Sequence, residues 1–327
     1  MKEVKRYINK ITDFIDFLKG EEFIFIQTHN FPDHDAVASA FGLQQLFKHY
    51  GIDSYLVYEK EIQRDSLKKI IKDLKIDIKN KNDYTMEEQH KIVLVDGCKG
   101  NSNVTDLIGD EVGVIDHHQV VSPEDVEFSH IFPEYGACAS IIASYFLNLG
   151  VKIPKNVATS FLIGISTDTS FLTRGVCEHD LQVFFHCYGI ADIQYVTSIL
   201  RNYIRISDLE FYRFLVDNMI YLKRSAFCYF PSGCNQNLLG ILADFAISLN
   251  EIDFVVLCAK NENRINFSLR SEVPEWDASH VVRHILEGIG FGGGHADMAG
   301  GVIKDSSYFN QEVIYNSIIS HLGLTSL

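Results

Sequence analysis

Positive charge is scarce in this 327-residue chain: 29 Lys and Arg stand against 43 Asp and Glu, a formal net charge of −14. Proteins that grip long nucleic acid neutralise many phosphates with clustered Lys and Arg, so this balance speaks against such a partner. The segment 68-KKIIKDLKIDIKNKN-82 does not restore one, because Asp73 and Asp77 turn it into a solvated helix and loop. Apolar runs are also short of the roughly 18 residues that a membrane helix needs. The richest, 157-VATSFLIGISTDTSFL-172, carries Asp168 and several hydroxyls, and the protein is expected to be soluble with no membrane partner. The seven cysteines contain no C-x-x-C pair, which argues against a thiolate zinc site or a disulfide frame and fits a reducing cytoplasm. G-x-S-x-G is absent, so there is no nucleophile elbow for serine chemistry. Only six prolines punctuate the chain, and no internal repeat or low-complexity tract is visible.

What is present is ample apolar material, 46% of residues, enough for one large or two medium domains. Val4, Tyr7, Ile8, Ile11, Ile15 and Leu18 are spaced like one face of an amphipathic helix and predict a folded start rather than a signal peptide. Short β-branched runs then alternate with helical patterns: FIFIQT at 23–28, a helix over 35–50, SYLVYE at 54–59, IVLVD at 92–96 and VGVID at 112–116. Continuous apolar strands separated by helices predict an α/β domain, a mostly parallel sheet with helices on both faces. The stretch 191–224 reads as helical. After it come AFCYF at 226–230, a helix near 236–249, the strand pair DFVVLCAK and RINFSLRS, a helix near 277–287 and a glycine cluster. The expected organisation is a first domain over 1–190, a helical linker over 191–224 and a smaller α/β domain over 225–327.

In parallel α/β sheets, ligands bind beyond the carboxyl ends of the strands, so the residues just after each run matter most. They are 29-HNFPDHD-35 after the first strand, Asp96 in 94-LVDGC-98 and 116-DHH-118 after VGVI; 164-GISTDTSFL-172 adds Asp168. Four distant segments thus deliver carboxylates and imidazoles to one sheet edge, where an uncompensated buried charge costs several kcal/mol. A mixed Asp/His set without cysteine suits Mn²⁺ or a similar divalent cation. Two such ions about 3.5–4 Å apart can activate water and neutralise a phosphoryl group, which is the chemistry of a phosphoesterase. A structural alternative makes some of these residues helix caps, a role open to Asp33 or Asp35 before the helix over 35–50.

The ordered set HNFPDHD, LVDG, IDHH and GISTDT, followed by 290-GFGGGHADMAGG-301, resembles the DHH phosphoesterase superfamily with a DHHA1 C-terminal domain, over nearly the whole chain. The resemblance implies that His29 and Asp33 bind one metal ion, that Asp35, His117 and Asp168 bind the second, and that Asp96 bridges them. It gives His118 to the phosphate and Asp116 to the orientation of its neighbours. In the second domain it implies an arginine on the strand NFSLRS, here Arg270, as a substrate contact. Gly293, Gly294 and His295 of the GGGH run are implied to bind substrate, although that run taken alone fits a tight loop as well as a phosphate cradle. The chain departs from the family pattern at His34, where a glycine is common, and at Ala38. His34 is open to three roles: a bystander, an extra metal ligand, or a group that narrows substrate choice. In 280-HVVRH-284 two histidines four apart could share a metal, but the glutamate of HExxH is missing and the pair reads as a solvated or interdomain helix face.

The expected function is a Mn²⁺-dependent phosphodiesterase, with Mg²⁺ or Co²⁺ as substitutes, that hydrolyses short oligoribonucleotides, above all linear dinucleotides such as pGpG or pApA. Cyclic di-AMP and 3′-phosphoadenosine 5′-phosphate are the alternative substrates, and a non-catalytic nucleotide sensor is the alternative of another class. The resemblance leaves room for a homodimer.

Overall fold

The structure is a computed structural model that describes residues 8–62, 64–101, 103–201 and 204–324. These fall into two compact units divided between residues 203 and 204.

The first unit is built on six parallel strands: β1 (Ile24–Thr28), β2 (Ser54–Tyr58), β3 (Ile78–Asn80), β4 (Lys91–Val95), β5 (Asp110–Asp116) and β6 (Phe128–Ile131). Their order is β3-β2-β1-β4-β5-β6, so the chain reverses its direction of travel across the sheet between β1 and β4. Alternation sorts the strands' side chains into two cores. Ile24, Ile26, Val93, Val95 and Ile115 meet the helices, while Phe25, Ile92, Leu94 and Val114 face the other way. The helices α1 (Ile11–Leu18), α2 (His34–His49), α3 (Asp65–Asp73), α4 (Cys138–Asn148), α5 (Lys155–Asp168), α6 (Glu178–Tyr188) and α7 (Ile193–Arg201) all contribute to the first of these cores. The opposite face is covered by connecting segments through Tyr84, Met86, Cys98, Leu107 and Val126, not by helices as the strand pattern suggests. The connections after β3, β4 and β5 are short, and in this fold they close the core as loops.

The first helix begins at Ile11; Val4 and Tyr7 of the expected amphipathic face lie outside the described residues. Its Phe14 stacks on Phe128 at 4.4 Å, and a Cβ at Gly113 would sit 2.6 Å from the Phe14 ring, so glycine is what lets this helix close on β5.

The second unit holds α8 (Leu209–Asn218), α9 (Gln236–Ile247), α10 (Ala278–Ile285) and α11 (Gln311–His321) around a mixed sheet ordered β11-β12-β10-β9-β8-β7. The strands are β7 (Ile220–Leu222), β8 (Ser225–Phe230), β9 (Phe254–Asn261), β10 (Arg264–Ser271), β11 (Phe291–Gly294) and β12 (Met298–Ile303). The stretch 191–224 is shared out. Val196 and Ile199 of α7 enter the core of the first unit, Leu215 of α8 enters that of the second, and residues 220–222 form an edge strand. A helical period shows which face is apolar but not which core receives it.

Candidate metal centre

The residues that precede and follow the reversal point come together. β1 ends at Thr28 and hands the chain to His29; β4 ends at Val95 and hands it to Asp96; β5 ends in Asp116 itself. Such a switch point leaves a crevice where ligands bind in open α/β sheets. Asp96 is buried and adopts a left-handed backbone, φ 53°, with its N–H held by the Ile115 carbonyl at 2.9 Å. Side chains other than glycine, asparagine and aspartate rarely accept this conformation.

Asp33 precedes α2 and caps it, Oδ1 accepting from the N–H groups of Asp35 and Ala36 at 3.0 and 3.1 Å. The capping role open to Asp33 is therefore filled while the residue also faces His29, whose Nε2 lies 3.9 Å away. Asp35, in the first turn of α2, accepts from the N–H groups of Cys138 and Ala139 at the start of α4, at 2.7 and 2.9 Å. Asp168 is the last residue of α5 and lies 3.2 Å from His117 Nε2. Asp96 stands between the two sides: Oδ2 is 3.5 Å from His29 Nε2 and Oδ1 is 3.5 Å from His117 Nε2.

Both histidines are set up in the same way. His29 Nδ1 lies 2.8 Å from the Asn30 carbonyl and His117 Nδ1 lies 3.1 Å from that of Tyr135. A carbonyl only accepts, so each Nδ1 carries the hydrogen and each Nε2 is left to face the carboxylates. Asp116, fully buried, accepts through Oδ1 from the His117 and His118 N–H groups at 2.8 and 3.2 Å and from His118 Nδ1 at 2.7 Å.

The donor atoms form three groups, each within 4.8 Å internally: His29, Asp33 and Asp96; Asp35, His117 and Asp168; and Asp96, His117 and His118. The electrostatics are those of a site with surplus negative charge. Burial works to lower the pKa of His29, but hydrogen bonding to Asp96 and the charges of Asp33 and Asp96 outweigh it and hold the ring at about 10. His117 is likewise raised against its burial by Asp168 and Asp96. Burial pushes Asp35 well up, helped by Asp96 and Asp168. Asp33 resists its own burial and stays at about 2 beside His29 and Arg64. A divalent cation fits this donor set, and Asp96 Oδ1 gives a specific reason: it is buried and has no hydrogen-bond partner. His34 stands apart from these groups. Its Nε2 lies 3.0 Å from Ser66 Oγ and its Nδ1 3.4 Å from Arg64 Nη1, and burial together with the Arg64 charge lowers it to about 3. Arg64 belongs to no motif in the sequence, and only the fold reveals its position.

In the second unit, Arg270 lies on β10 as the motif suggests, but its guanidinium is already engaged. Nε donates to Asp244 at 2.5 Å, Nη1 to Ser268 Oγ and the Leu269 carbonyl at 3.1 and 2.9 Å, and Nη2 to the Gly240 carbonyl at 3.4 Å. The glycine run forms the edge strand β11 rather than a loop. Its glycines answer different needs: a Cβ at Gly292 would meet Val282 of α10 at 2.7 Å, Gly293 faces open space, and Gly294 has φ 141°. Strand pairing sets Gly293 opposite Gly300 and Gly300 opposite Ser268, so an exposed glycine floor adjoins the strand that carries Arg270. His295 follows, exposed, its N–H held by the Met298 carbonyl at 2.7 Å. His280 is exposed, and the His284 ring lies 4.4 Å from that of His321, tilted by 31°.

Residues 23–165 match the DHH family, N-terminal domain, and residues 221–315 the DHHA1 domain. The chain is 27% identical over 277 residues to the uncharacterised protein MJ1633 of Methanocaldococcus jannaschii, covering 84% of this chain and 57% of MJ1633. It thus spans little more than half the length of that relative. It is 27% identical over 175 residues to a probable manganese-dependent inorganic pyrophosphatase of Bacillus licheniformis, covering 52% of this chain and 56% of the pyrophosphatase. The fold is shared with the crystal structure of an exopolyphosphatase-related protein from Bacteroides fragilis, with a TM-score of 0.80 at 18% identity over 95% of both chains.

Proposed function

The chain belongs to the DHH/DHHA1 phosphoesterase superfamily, and from that premise we propose that it is a phosphodiesterase that uses two divalent cations, Mn²⁺ by preference, to hydrolyse linear dinucleotides of the pGpG or pApA type. The observation that carries this reading is Asp96, which stands 3.5 Å from both His29 Nε2 and His117 Nε2, one in each of the two donor groups, and whose buried Oδ1 has no hydrogen-bond partner. Cations bound there activate water near neutral pH and neutralise phosphoryl charge. His29, Asp33 and Asp96 hold one cation; Asp35, His117 and Asp168 hold the other. The Nδ1 hydrogen bonds of His29 and His117 to backbone carbonyls fix which nitrogen each presents. Asp116 holds His118 in place as a hydrogen-bond donor to the phosphoryl oxygens. Arg270, Gly293, Gly294 and His295 of the second unit contact the nucleotide. An acidic chain of net charge −14 favours short substrates over long nucleic acid.

The test is turnover with Mn²⁺ on pGpG, pApA, longer oligoribonucleotides, cyclic di-AMP, 3′-phosphoadenosine 5′-phosphate, inorganic pyrophosphate and long single-stranded DNA. The expected result is fast cleavage of the two dinucleotides and loss of turnover to background in Asp96→Ala. Near-normal rates in that variant overturn the mechanism, and preference for pyrophosphate or for cyclic di-AMP overturns the substrate assignment.

A further inference from the structure

His34 replaces the glycine common between the two aspartates of the first motif, and its surroundings decide among the three roles open to it. A guanidinium has only donors, so across the 3.4 Å contact Arg64 Nη1 donates and His34 Nδ1 accepts. The ring hydrogen must then sit on Nε2, which donates to Ser66 Oγ at 3.0 Å. Both ring nitrogens are committed, which removes His34 from the metal ligands, and none of the three donor groups among the described residues includes it. A buried imidazole wedged between the start of α2 and the start of α3 serves instead to fix Arg64, the residue just before α3.

Arg64 itself is exposed and lies within electrostatic reach of Asp33, on the flank of the group formed by His29, Asp33 and Asp96. Among the described residues its guanidinium makes the single hydrogen bond to His34 and no ion pair. The contrast is with Arg270, whose fork already donates to Asp244, Ser268, Leu269 and Gly240. The exposed guanidinium has five N–H groups, and the one spent on His34 leaves donors for a phosphate beside a cluster suited to phosphate chemistry.

We propose that Arg64 binds a second phosphate of the substrate, next to the one hydrolysed at the metal centre, and that His34 is its positioning residue. The proposal rests on the phosphodiesterase reading above and sharpens it: the preferred substrate carries a terminal phosphate beside the scissile bond, as pApA does and ApA does not. Arginine suits this because its planar fork can hold two phosphate oxygens at once. Bystander and ligand roles for His34 both give way to selectivity.

The experiment compares kcat and KM for pApA and ApA with Mn²⁺ in the wild type, Arg64→Gln, Arg64→Lys and His34→Gln. In Arg64→Gln the preference for pApA over ApA should fall about 10- to 100-fold, mainly through KM for pApA, as expected for loss of one charge-assisted contact. Arg64→Lys should recover part of that preference, and His34→Gln should lose a smaller part of it at unchanged thermal stability. An Arg64→Gln enzyme with the wild-type preference, or a preference lost through kcat alone, overturns the proposal. If the wild type hydrolyses neither compound, the function proposed above falls while the contact is still read by calorimetric titration of the Mn²⁺-loaded protein. Weaker pApA binding in Arg64→Gln, with the ratio to ApA reduced, then supports it, and equal ratios overturn it.

Discussion

Asp116 concentrates more hydrogen bonding on one oxygen than any other residue near the centre. Oδ1 serves two backbone N–H groups and the His118 ring, while Oδ2 is buried without a partner. The arrangement aims His118 and favours its protonated form: burial opposes protonation, but the Asp116 hydrogen bond and the Asp96 charge raise its pKa. Asp116→Asn preserves the shape and removes the charge. Turnover should drop about 10- to 100-fold, the usual cost of losing a residue that orients a ligand or donor, with little change in folding. Steady-state kinetics and a thermal melt check this, and an unchanged kcat would refute the orienting role. Residues of this kind are legible in sequence because DHH ends an apolar strand with groups that are costly to bury. Arg64 is not, because a single arginine in the connection 59–64 has no period or motif, and its meaning depends on a histidine thirty positions earlier.

At the scale of elements, the centre depends on how α2 and α5 sit together, since one supplies Asp35 and the other Asp168. Their contact is made possible by small residues. A Cβ at Gly42 would lie 2.3 Å from Phe161 Cζ, and one at Gly164 would lie 3.1 Å from Asp35 Cα. Phe161 is fully buried and has no room to retreat, so Gly42→Val should destabilise the first unit by about 1–3 kcal/mol through overpacking. Because the two helices must part, it should also weaken Mn²⁺ binding although Gly42 touches no ligand. A melt and a metal titration read the two effects separately, and lower stability with unaltered Mn²⁺ affinity would sever the link between helix packing and the centre. Strands long enough to show an apolar run were legible, whereas β3 and β6 span only 78–80 and 128–131 and left no periodic trace. The glycine run hid its strand because glycine carries no side-chain pattern, and its pairing with β12 depends on residues that follow it.

At the scale of the whole molecule, the two units have separate apolar cores and separate chemistry. His29, Asp33, Asp35, Asp96, His117 and Asp168 all lie before the division at 203/204, and Arg270, Gly293, Gly294 and His295 all lie after it. A helical period over 191–224 cannot say which core receives it, and α7 closes the first one. Val196 and Ile199 are 7% and 6% exposed there, and each such side chain contributes about 1.5–3 kcal/mol by leaving water. A fragment over 1–203 should therefore fold and melt at a higher temperature with Mn²⁺ than without, since a ligand bound only by the native state stabilises it by mass action, about 2.7 kcal/mol at a hundred times Kd. Asp96→Asn should remove that shift. A fragment over 1–190 should melt well below the longer one, and a fragment over 204–327 should fold with no response to Mn²⁺. Equal melting of 1–190 and 1–203 would show that α7 does not belong to the first core. A Mn²⁺ shift that survives Asp96→Asn would move the cation away from the end of β4 and with it the chemistry proposed for this chain.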